Sequence, residues 1–400
     1  MPSGKIGSVK FSADARRARI AKRHGLHPDH RLSDPVQVAE AMVALHATEN
    51  PSVHLAVAAR SSATPEAVEK ALYTDKSVVK QVAMRRTLFV FPRDLLPAVW
   101  GSASARVAAS QRGQLERDLV RHGITDDPNG WIEQTKSAVL SRLHGVHLSA
   151  KQLREDVPQL DVRTIKLTES KWQQAGLPFA PQLTNLLEAE HQISRGQNQG
   201  HWKYGRPGWT TTESWLGTVP DALPQREAYA ELIGRWLWTF GPGTEADLVW
   251  WLGATKSAVR DALTDLNAVT VELDGGGVGY LLPDDDQPDE PVEPWAALLP
   301  TLDPTLMGWR ERTFYLEPAL VPYLFDTNGN GGTTAWVNGR VVGCWVQQPD
   351  GAVRIVPARP LSHADQALLA AEAARLTAFL DGIVISNVYA SRMMKGEQLP

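Results

Sequence analysis

The sequence predicts a mixed α+β fold, because helices followed by extended strands recur three times before a β-rich C-terminal region. Residues 35–92 pass from a helical spacing of apolar residues to the extended run TLFVFP, and residues 131–193 contain helical segments on either side of the extended VRTIKL. Residues 226–283 give three helices and then a hairpin with a Gly-rich turn. Helices followed by a hairpin are the order of a winged-helix unit, so we predict three such units in tandem.

The length of 400 residues exceeds what one ordinary core supports, so the chain is predicted to divide into several units. A content of 43% hydrophobic and 22% charged residues is typical of packed globular domains. The acidic, Pro-rich segment PDDDQPDEPVEP at 283–294 is interpreted as a linker. The predicted division is three winged-helix units at 1–115, 116–222 and 223–285, and a β-rich lobe at 286–400 that closes with a helix over 363–380.

The composition excludes several classes of protein. Cys344 is the only cysteine, which excludes an internal disulfide framework and a cysteine-built zinc site and fits a reducing cytoplasm. The histidines lack the spacing of metal ligands, so we expect neither a metal nor a cofactor. The basic N-terminus lacks the apolar core of a secretory signal, and no run approaches about 18 apolar residues, so no membrane association is expected. With a net charge of -4, any binding of DNA must come from a local basic face.

The stretch VALHATENP gathers polar side chains at one place. Residues 35–46 have helical spacing, and Pro51 is predicted to stop that helix. The interpretation places three reactive polar groups at the helix end: His46, Thr48 and Glu49.

Three longer stretches resemble one family of proteins. FGPGTEADLVWWLGATKSAVRDAL, LDPTLMGWRERTFYL and LFDTNGNGGTTAWVNGRVVGCW, supported by MRRTLFVFP, resemble the bacterial winged-helix DNA glycosylases that remove bulky alkylated purines, including those that confer resistance to azinomycin-type antibiotics. The resemblance extends over residues 12–385. It implies three winged-helix units around a concave channel and a C-terminal β-barrel-like lobe.

The resemblance also points to candidate catalytic residues. The family carries Gln-hydrophobic-Gln or Gln-hydrophobic-Asp after its second helix, and this sequence has His46-Ala47-Thr48 at that place. An N7-alkylated guanine is already cationic, so the enzyme has to position a water molecule and stabilise an oxocarbenium-like sugar. An imidazole and a hydroxyl can both orient water, and the imidazole can also act as a base. Glu49 is the alternative carboxylate, while the structural alternative is that His46 and Thr48 bond the carbonyls of a helix terminus.

The segment TKSAVRDAL is predicted to be a recognition helix that begins after Thr255. Lys256 and Arg260 are four residues apart and therefore share one helix face. Cations at this spacing suit contacts with DNA phosphates, which position a protein without reading sequence. The alternative is a solvated helix face.

Two further segments are candidates for contact with DNA. Arg85, Arg86 and Thr87 precede an extended strand and are predicted to meet phosphate, unless Arg85 pairs with a carboxylate. Asn338-Gly339 predicts a two-residue type I′ hairpin, which places Asn338 and Arg340 at a tip suited to the minor groove. The alternative for this tip is a barrel corner, where Asn and Gly supply positive φ angles.

These observations support two functional hypotheses. The first is a monofunctional DNA glycosylase that acts as a monomer on double-stranded DNA carrying bulky N7-purine adducts or crosslinks, as repair or as self-resistance to a genotoxic natural product. Such an enzyme would be cytoplasmic and associated with the nucleoid when bound to DNA. The second is a non-catalytic winged-helix protein that binds DNA or sequesters a damaged base.

Overall fold

The computed structural model describes residues 10–164 and 178–399. Its α-helices in these ranges are α1 Ala13–Arg23, α2 Pro35–Met42, α3 Asn50–Ala58, α4 Pro65–Glu69, α5 Leu96–Val99, α6 Ala105–Arg121, α7 Pro128–Leu143, α8 Ala150–Asp156, α9 Ala180–Ala189, α10 Thr212–Leu216, α11 Gln225–Phe240, α12 Glu245–Leu252, α13 Lys256–Asp265, α14 Pro304–Met307, α15 Val321–Leu324 and α16 His363–Leu380. The strands are β1 Lys10–Phe11, β2 Leu45–His46, β3 Val78–Val82, β4 Leu88–Pro92, β5 Ile193–Asn198, β6 Pro207–Thr211, β7 Val269–Leu273, β8 Val278–Leu281, β9 Ala296–Leu299, β10 Thr334–Val337, β11 Arg340–Gln347 and β12 Val353–Pro357. The fold is therefore mixed α and β, as the sequence predicts.

The chain forms two compact units, each built from separate parts of the sequence. Unit 1 comprises Met1–Val79, Phe89–Arg93 and Tyr229–Pro400, and unit 2 comprises Lys80–Leu88 and Asp94–Ala228. The strands form sheets in the orders β1-β7-β8, β2-β4-β3, β12-β11-β10-β9 and β5-β6. Within the described residues, no helix is long and apolar enough to cross a lipid bilayer.

The helices and hairpin predicted over 226–283 are present in the structure. α11, α12 and α13 come first, and β7 and β8 then pair antiparallel around a turn in which Gly275 and Gly276 have positive φ. Thr244 begins α12 with a reciprocal capping box, and the hydroxyl of Thr255 accepts the N–H of Ala258 at the start of α13. β1 pairs with β7 in parallel, so the N-terminal segment extends this sheet.

The C-terminal strands of unit 1 form an open antiparallel sheet, which corrects the expectation of a barrel-like lobe. In the described residues the sheet has the linear order β12-β11-β10-β9, so β9 and β12 are edge strands. α16, at the predicted position 363–380, packs on this sheet and buries Leu369, Leu376 and Leu380. The two-residue turn between β10 and β11 has φ values of 47° at Asn338 and 75° at Gly339, which confirms the predicted hairpin.

Unit 2 has its own apolar core. The facing sides of α6, α7 and α9 supply buried side chains, among them Leu115, Leu119, Ile132, Val139, Leu183 and Leu186. β5 and β6 form a hairpin whose strand β6 contributes the buried Trp209 to the same core. Of the predicted extended run VRTIKL, residues 165–167 lie outside the described residues.

The prediction of one helix over 35–46 is wrong at its C-terminal end. α2 ends at Met42, because Val43 adopts φ 63° and ψ -45° and the N–H of Ala44 donates back to the carbonyl of Met42 at 2.6 Å. This is the geometry of a γ-turn, a strained conformation for a β-branched residue. The chain then enters β2, so His46 lies on a strand.

Pro51 starts a helix, although it was predicted to stop one. It occupies the first turn of α3, where the missing N–H of proline costs no helical hydrogen bond. Glu49 is the residue that precedes this helix, and its backbone is extended.

The acidic segment at 283–294 has no regular structure, yet it is bound to α1. The guanidinium of Arg19 donates to the carboxylate of Asp285 at 2.9 Å and lies 2.9 Å from Asp289. Arg23 pairs with Asp285 at 2.6 Å. Because Arg19 and Asp285 are both buried, this segment is an attached part of unit 1 and not a free spacer.

Candidate functional site

Strand β2 and the loop between β2 and α3 carry the predicted catalytic residues. β2 pairs antiparallel with β4, which sets Leu45 opposite Val90 and His46 opposite Phe89. His46 is 6% exposed, and the centroid of its ring lies 4.3 Å from that of Phe89 with a tilt of 42° between the planes. The sheet therefore fixes the direction of the imidazole.

Thr48 and Glu49 differ in their exposure to solvent. The side chain of Thr48 is exposed, whereas Glu49 is buried. The carboxylate of Glu49 accepts hydrogen bonds from the hydroxyl of Thr301 and from the backbone N–H groups of Val388 and Tyr389, the last at 3.1 Å. Since both of its oxygens accept hydrogen bonds, Glu49 joins this loop to the C-terminal segment of unit 1.

α3 is attached at both ends to one short segment of the chain. At its N-terminal end, Thr301 contacts Glu49 and lies 3.1 Å from the hydroxyl of Ser52. Beyond its C-terminal end, Arg60 donates to both oxygens of Asp303 at 2.9 and 2.7 Å. Arg60 and Asp303 are both fully buried, and a buried bidentate pair holds a fixed geometry.

A neutral histidine completes this buried network. Asp303 begins α14 by accepting the N–H of Thr305, whose hydroxyl also accepts from Arg60 and lies 2.8 Å from His24 Nδ1. Burial, assisted by the nearby Arg60 guanidinium, lowers the pKa of His24 well below its ordinary value of 6.5. The imidazole therefore stays uncharged beside Arg60 and adds no repulsion to the network.

The predicted recognition helix exposes its cations as expected. α13 buries Val259, Ala262 and Leu263 and leaves Lys256 and Arg260 at the surface. Arg260 is held by Glu245 through two hydrogen bonds, from Nε at 2.7 Å and from the terminal nitrogen at 3.0 Å. This ion pair raises the pKa of Arg260 above its ordinary value. Lys256 extends from the first turn of α13, next to the capping Thr255.

Arg85, Arg86 and Thr87 form the turn between β3 and β4. Arg85 and Arg86 both have left-handed backbones, with φ values of 55° and 63°. The hydroxyl of Thr87 donates to the carbonyl of Met84 at 2.8 Å, so it stabilises the turn. Arg86 is exposed, whereas Arg85 is partly buried.

Asn338 and Arg340 flank the turn between β10 and β11. Asn338 exchanges hydrogen bonds with Trp295, because its side-chain oxygen accepts the Trp295 N–H and its own N–H donates to the Trp295 carbonyl, both at 2.9 Å. A Cβ on Gly339 would lie 2.7 Å from the Cβ of Arg17, so the turn packs closely on α1. Arg340 is exposed.

The structure brings the three predicted catalytic residues into one loop and places the predicted DNA contacts on separate elements. The residues that fix the loop, Thr301, Val388 and Tyr389, were not predicted, because nothing in the local sequence connects them with Glu49. Asp303 and Pro304 do carry the local signature of a helix start. In the described parts of the chain, no three side chains of His, Cys, Asp or Glu form a group that could hold a metal ion.

The comparisons with known proteins agree with this architecture. The family described as DNA glycosylase AlkZ-like matches residues 39–379, which include the β2–α3 loop, α13 and the β10–β11 hairpin. The structure is similar to that of the Streptomyces sahachiroi DNA glycosylase AlkZ, with a TM-score of 0.70 and 21% sequence identity over 92% of this chain and 97% of that chain. No curated protein sequence matches. Because the family match spans most of the chain, this protein belongs to the AlkZ-like DNA glycosylase family.

Proposed function

We propose that the protein is a monofunctional DNA glycosylase that hydrolyses the N-glycosidic bond of bulky N7-alkylated purines or of crosslinks at that atom. The observation that carries this proposal is the family match across the loop of His46 and Thr48. In that loop a strand directs one side chain and a buried carboxylate fixes the backbone. A rigid loop of this kind suits catalysis by positioning.

The proposed reaction does not require a general acid. Alkylation at N7 gives the purine a positive charge, so the base leaves without prior protonation. What remains is to orient the attacking water and to stabilise positive charge on the sugar. We assign the orientation of water to His46 and Thr48, and a structural role in holding the loop to Glu49.

DNA would be held mainly through its phosphates. The helices α11 to α13 with the β7–β8 hairpin would act as a winged-helix module, one of three in the chain, around a channel that admits the duplex. Lys256 and Arg86 offer exposed cations for the backbone, and Arg260, Arg340, Arg85, Thr87 and Asn338 are the further candidate contacts. The protein would act as a monomer, and self-resistance to an alkylating natural product is one setting for this activity.

The burial of His46 favours one alternative. With 6% of its surface exposed and Phe89 against its ring, the imidazole is covered. A covered imidazole suits a protein that binds or sequesters a damaged base without cleaving its bond to the sugar.

A single assay separates the two proposals. The protein is incubated with duplex DNA that carries a defined bulky N7-guanine adduct, and abasic sites are revealed by alkaline strand cleavage. Cleavage at the adduct position supports the glycosylase. Tight binding of the adducted duplex with no abasic sites for any adduct tested would transfer the proposal to the non-catalytic alternative.

A further inference from the structure

The tip of the β5–β6 hairpin, residues 198–207, concentrates cations around an exposed aromatic ring. Its sequence NQGHWKYGRP contains Lys203, Arg206 and His201 but no Asp or Glu. Tyr204 is 46% exposed, and Arg206 is also exposed. In a chain with a net charge of -4, such a segment stands apart from the average surface.

A buried asparagine fixes the shape of this tip. Asn198 is 5% exposed. Its side-chain nitrogen donates to the carbonyl of Tyr204 at 2.9 Å, and its oxygen accepts the N–H of Arg206 at 2.7 Å. Nδ1 of His201 accepts the N–H of Lys203 at 3.2 Å. The tip is therefore ordered before any partner binds, which lowers the entropic cost of binding.

Lys203 and Arg206 both contact the ring of Tyr204. Neither of the two forms an ion pair with an acid among the residues that the structure describes. Lys203 Nζ and the guanidinium carbon of Arg206 each lie 5.3 Å from the centroid of the Tyr204 ring. Some exposed cations of the same unit are instead bound to acids, as Arg142 is to Asp156 at 2.7 Å. A cation without an acidic neighbour keeps its charge available to an external anion.

We propose that this hairpin tip binds the phosphate backbone of duplex DNA through Lys203 and Arg206. The ring of Tyr204, which both side chains contact, would hold the two cations in position. The proposal rests on the proposed function, because a DNA glycosylase must hold DNA with a chain whose net charge repels it. A guanidinium and an ammonium both bind phosphate oxygens, and such contacts add affinity without sequence preference. The tip would therefore add two phosphate contacts in unit 2 to the contacts proposed for α13 in unit 1.

The test measures binding of the full-length chain to a short, undamaged, fluorescein-labelled duplex by anisotropy over a range of KCl concentrations. The double variant Lys203→Gln with Arg206→Gln is compared with the double variant Arg142→Gln with Lys151→Gln. The control removes the same charge from the same unit, but its side chains already face Asp156 and Glu155. Tyr204→Ala is a third variant, which keeps both charges and removes the ring.

If the tip binds two phosphates, the tip variant lowers the magnitude of the slope of log affinity against log salt by about 1.8, because each phosphate contact contributes about 0.9. The control leaves the slope as in the parent, and Tyr204→Ala weakens binding with little change of slope. An unchanged slope in the tip variant, or an equal change in the control, overturns the proposal, and so does a parent that binds no duplex. No base is removed in this assay, so its result is independent of excision. A parent that binds through the tip but generates no abasic sites would refute only the glycosylase.

Discussion

His46 and Thr48 differ in what they offer to a water molecule next to a reacting sugar. The imidazole can orient water and accept its proton, whereas a neutral hydroxyl can only orient it. We therefore expect His46→Ala to lower excision of a bulky N7-guanine adduct by about 10²-fold or more, the usual scale for the loss of one such group. Thr48→Ala should lower it less. Single-turnover rates, with duplex affinity measured in parallel, check both variants.

The matched control for this prediction is His46→Gln. The resemblance implies Gln at this position in the family, and an amide also orients water, so His46→Gln should keep more activity than His46→Ala. Equal and unchanged rates in all three variants would remove the loop from the mechanism. A loss of rate that follows a loss of folding, seen as a shifted melting temperature, would make His46 a structural residue.

Glu49 is expected to stabilise the fold and not to take part in the reaction. Glu49→Ala leaves the hydrogen-bond donors of Thr301, Val388 and Tyr389 without their acceptor, which should cost about 2 kcal/mol of unfolding free energy. Glu49→Gln keeps one acceptor oxygen and loses the charge, so it should cost about 1 kcal/mol and retain excision. Urea denaturation and the single-turnover rate are measured on each variant, with the exposed Glu40→Gln as the control. A collapse of the rate in a stable Glu49→Gln protein would assign the catalytic role to this carboxylate.

At the scale of elements, one of the two exposed cations of α13, Arg260, already forms an ion pair. Arg260 is bound by Glu245, so contact with a phosphate has to compete with this ion pair. If Arg260 contacts DNA, Glu245→Gln should strengthen the binding of DNA more than Asp261→Asn does. Both substitutions remove one exposed or partly exposed acid, but only the first releases Arg260.

Replacing Lys256 and Arg260 together with Ala should weaken the binding of DNA of any sequence and lower the magnitude of the salt slope by about 1.8. Equal effects of the two acid variants, with an unchanged slope in the double variant, would exclude α13 from the interface.

The contact between α1 and the acidic segment is expected to be a major source of stability in unit 1. Asp285→Ala leaves the buried guanidinium of Arg19 without its main partner, and breaking a buried pair in this way costs about 3–5 kcal/mol. Replacing both partners with apolar residues, Arg19→Met and Asp285→Leu, should restore much of the loss. Urea denaturation of the variants, with the exposed Asp284→Ala as control, measures this. A cost for Asp285→Ala no larger than that for Asp284→Ala would show that the segment is a free linker after all.

Elements defined by local signals could be predicted from the sequence, and those defined by distant contacts could not. The Asn338-Gly339 turn, the start of α13 at Thr255 and the helix over 363–380 each depend on residues within one turn. The end of α2 depends on the conformation of Val43, which no propensity favours. Pro51 was predicted to end a helix but starts one, because proline is common both after the end of a helix and in its first turn.

The contacts that hold the candidate site also join residues far apart in the sequence, so they could not be predicted from local signals. A resemblance located His46 and Thr48, but the acceptor role of Glu49 depends on the N–H of Val388, 339 positions further along the chain. The pairing of Arg60 with Asp303 spans 243 positions. Contacts at such separations arise from the packing of unit 1 and leave no periodic signal in the sequence.

At the scale of the whole molecule, the proposed chemistry predicts selectivity for the charge of the leaving base. Within the proposed mechanism Glu49 is occupied as a hydrogen-bond acceptor and Thr48 is a hydroxyl, so neither protonates a departing base. A base that is already cationic needs no such proton, whereas a neutral lesion does. We therefore expect excision of N7-alkylated guanine and of the cationic N3-methyladenine, and rates for neutral hypoxanthine lower by about 10²-fold or more, the usual contribution of general acid catalysis. Single-turnover excision from duplexes that differ only in the lesion measures this, with affinity for each duplex as the control that separates binding from chemistry. Removal of the neutral base at a comparable rate would mean that a general acid acts in this protein, and His46 would be the first residue to test for that role.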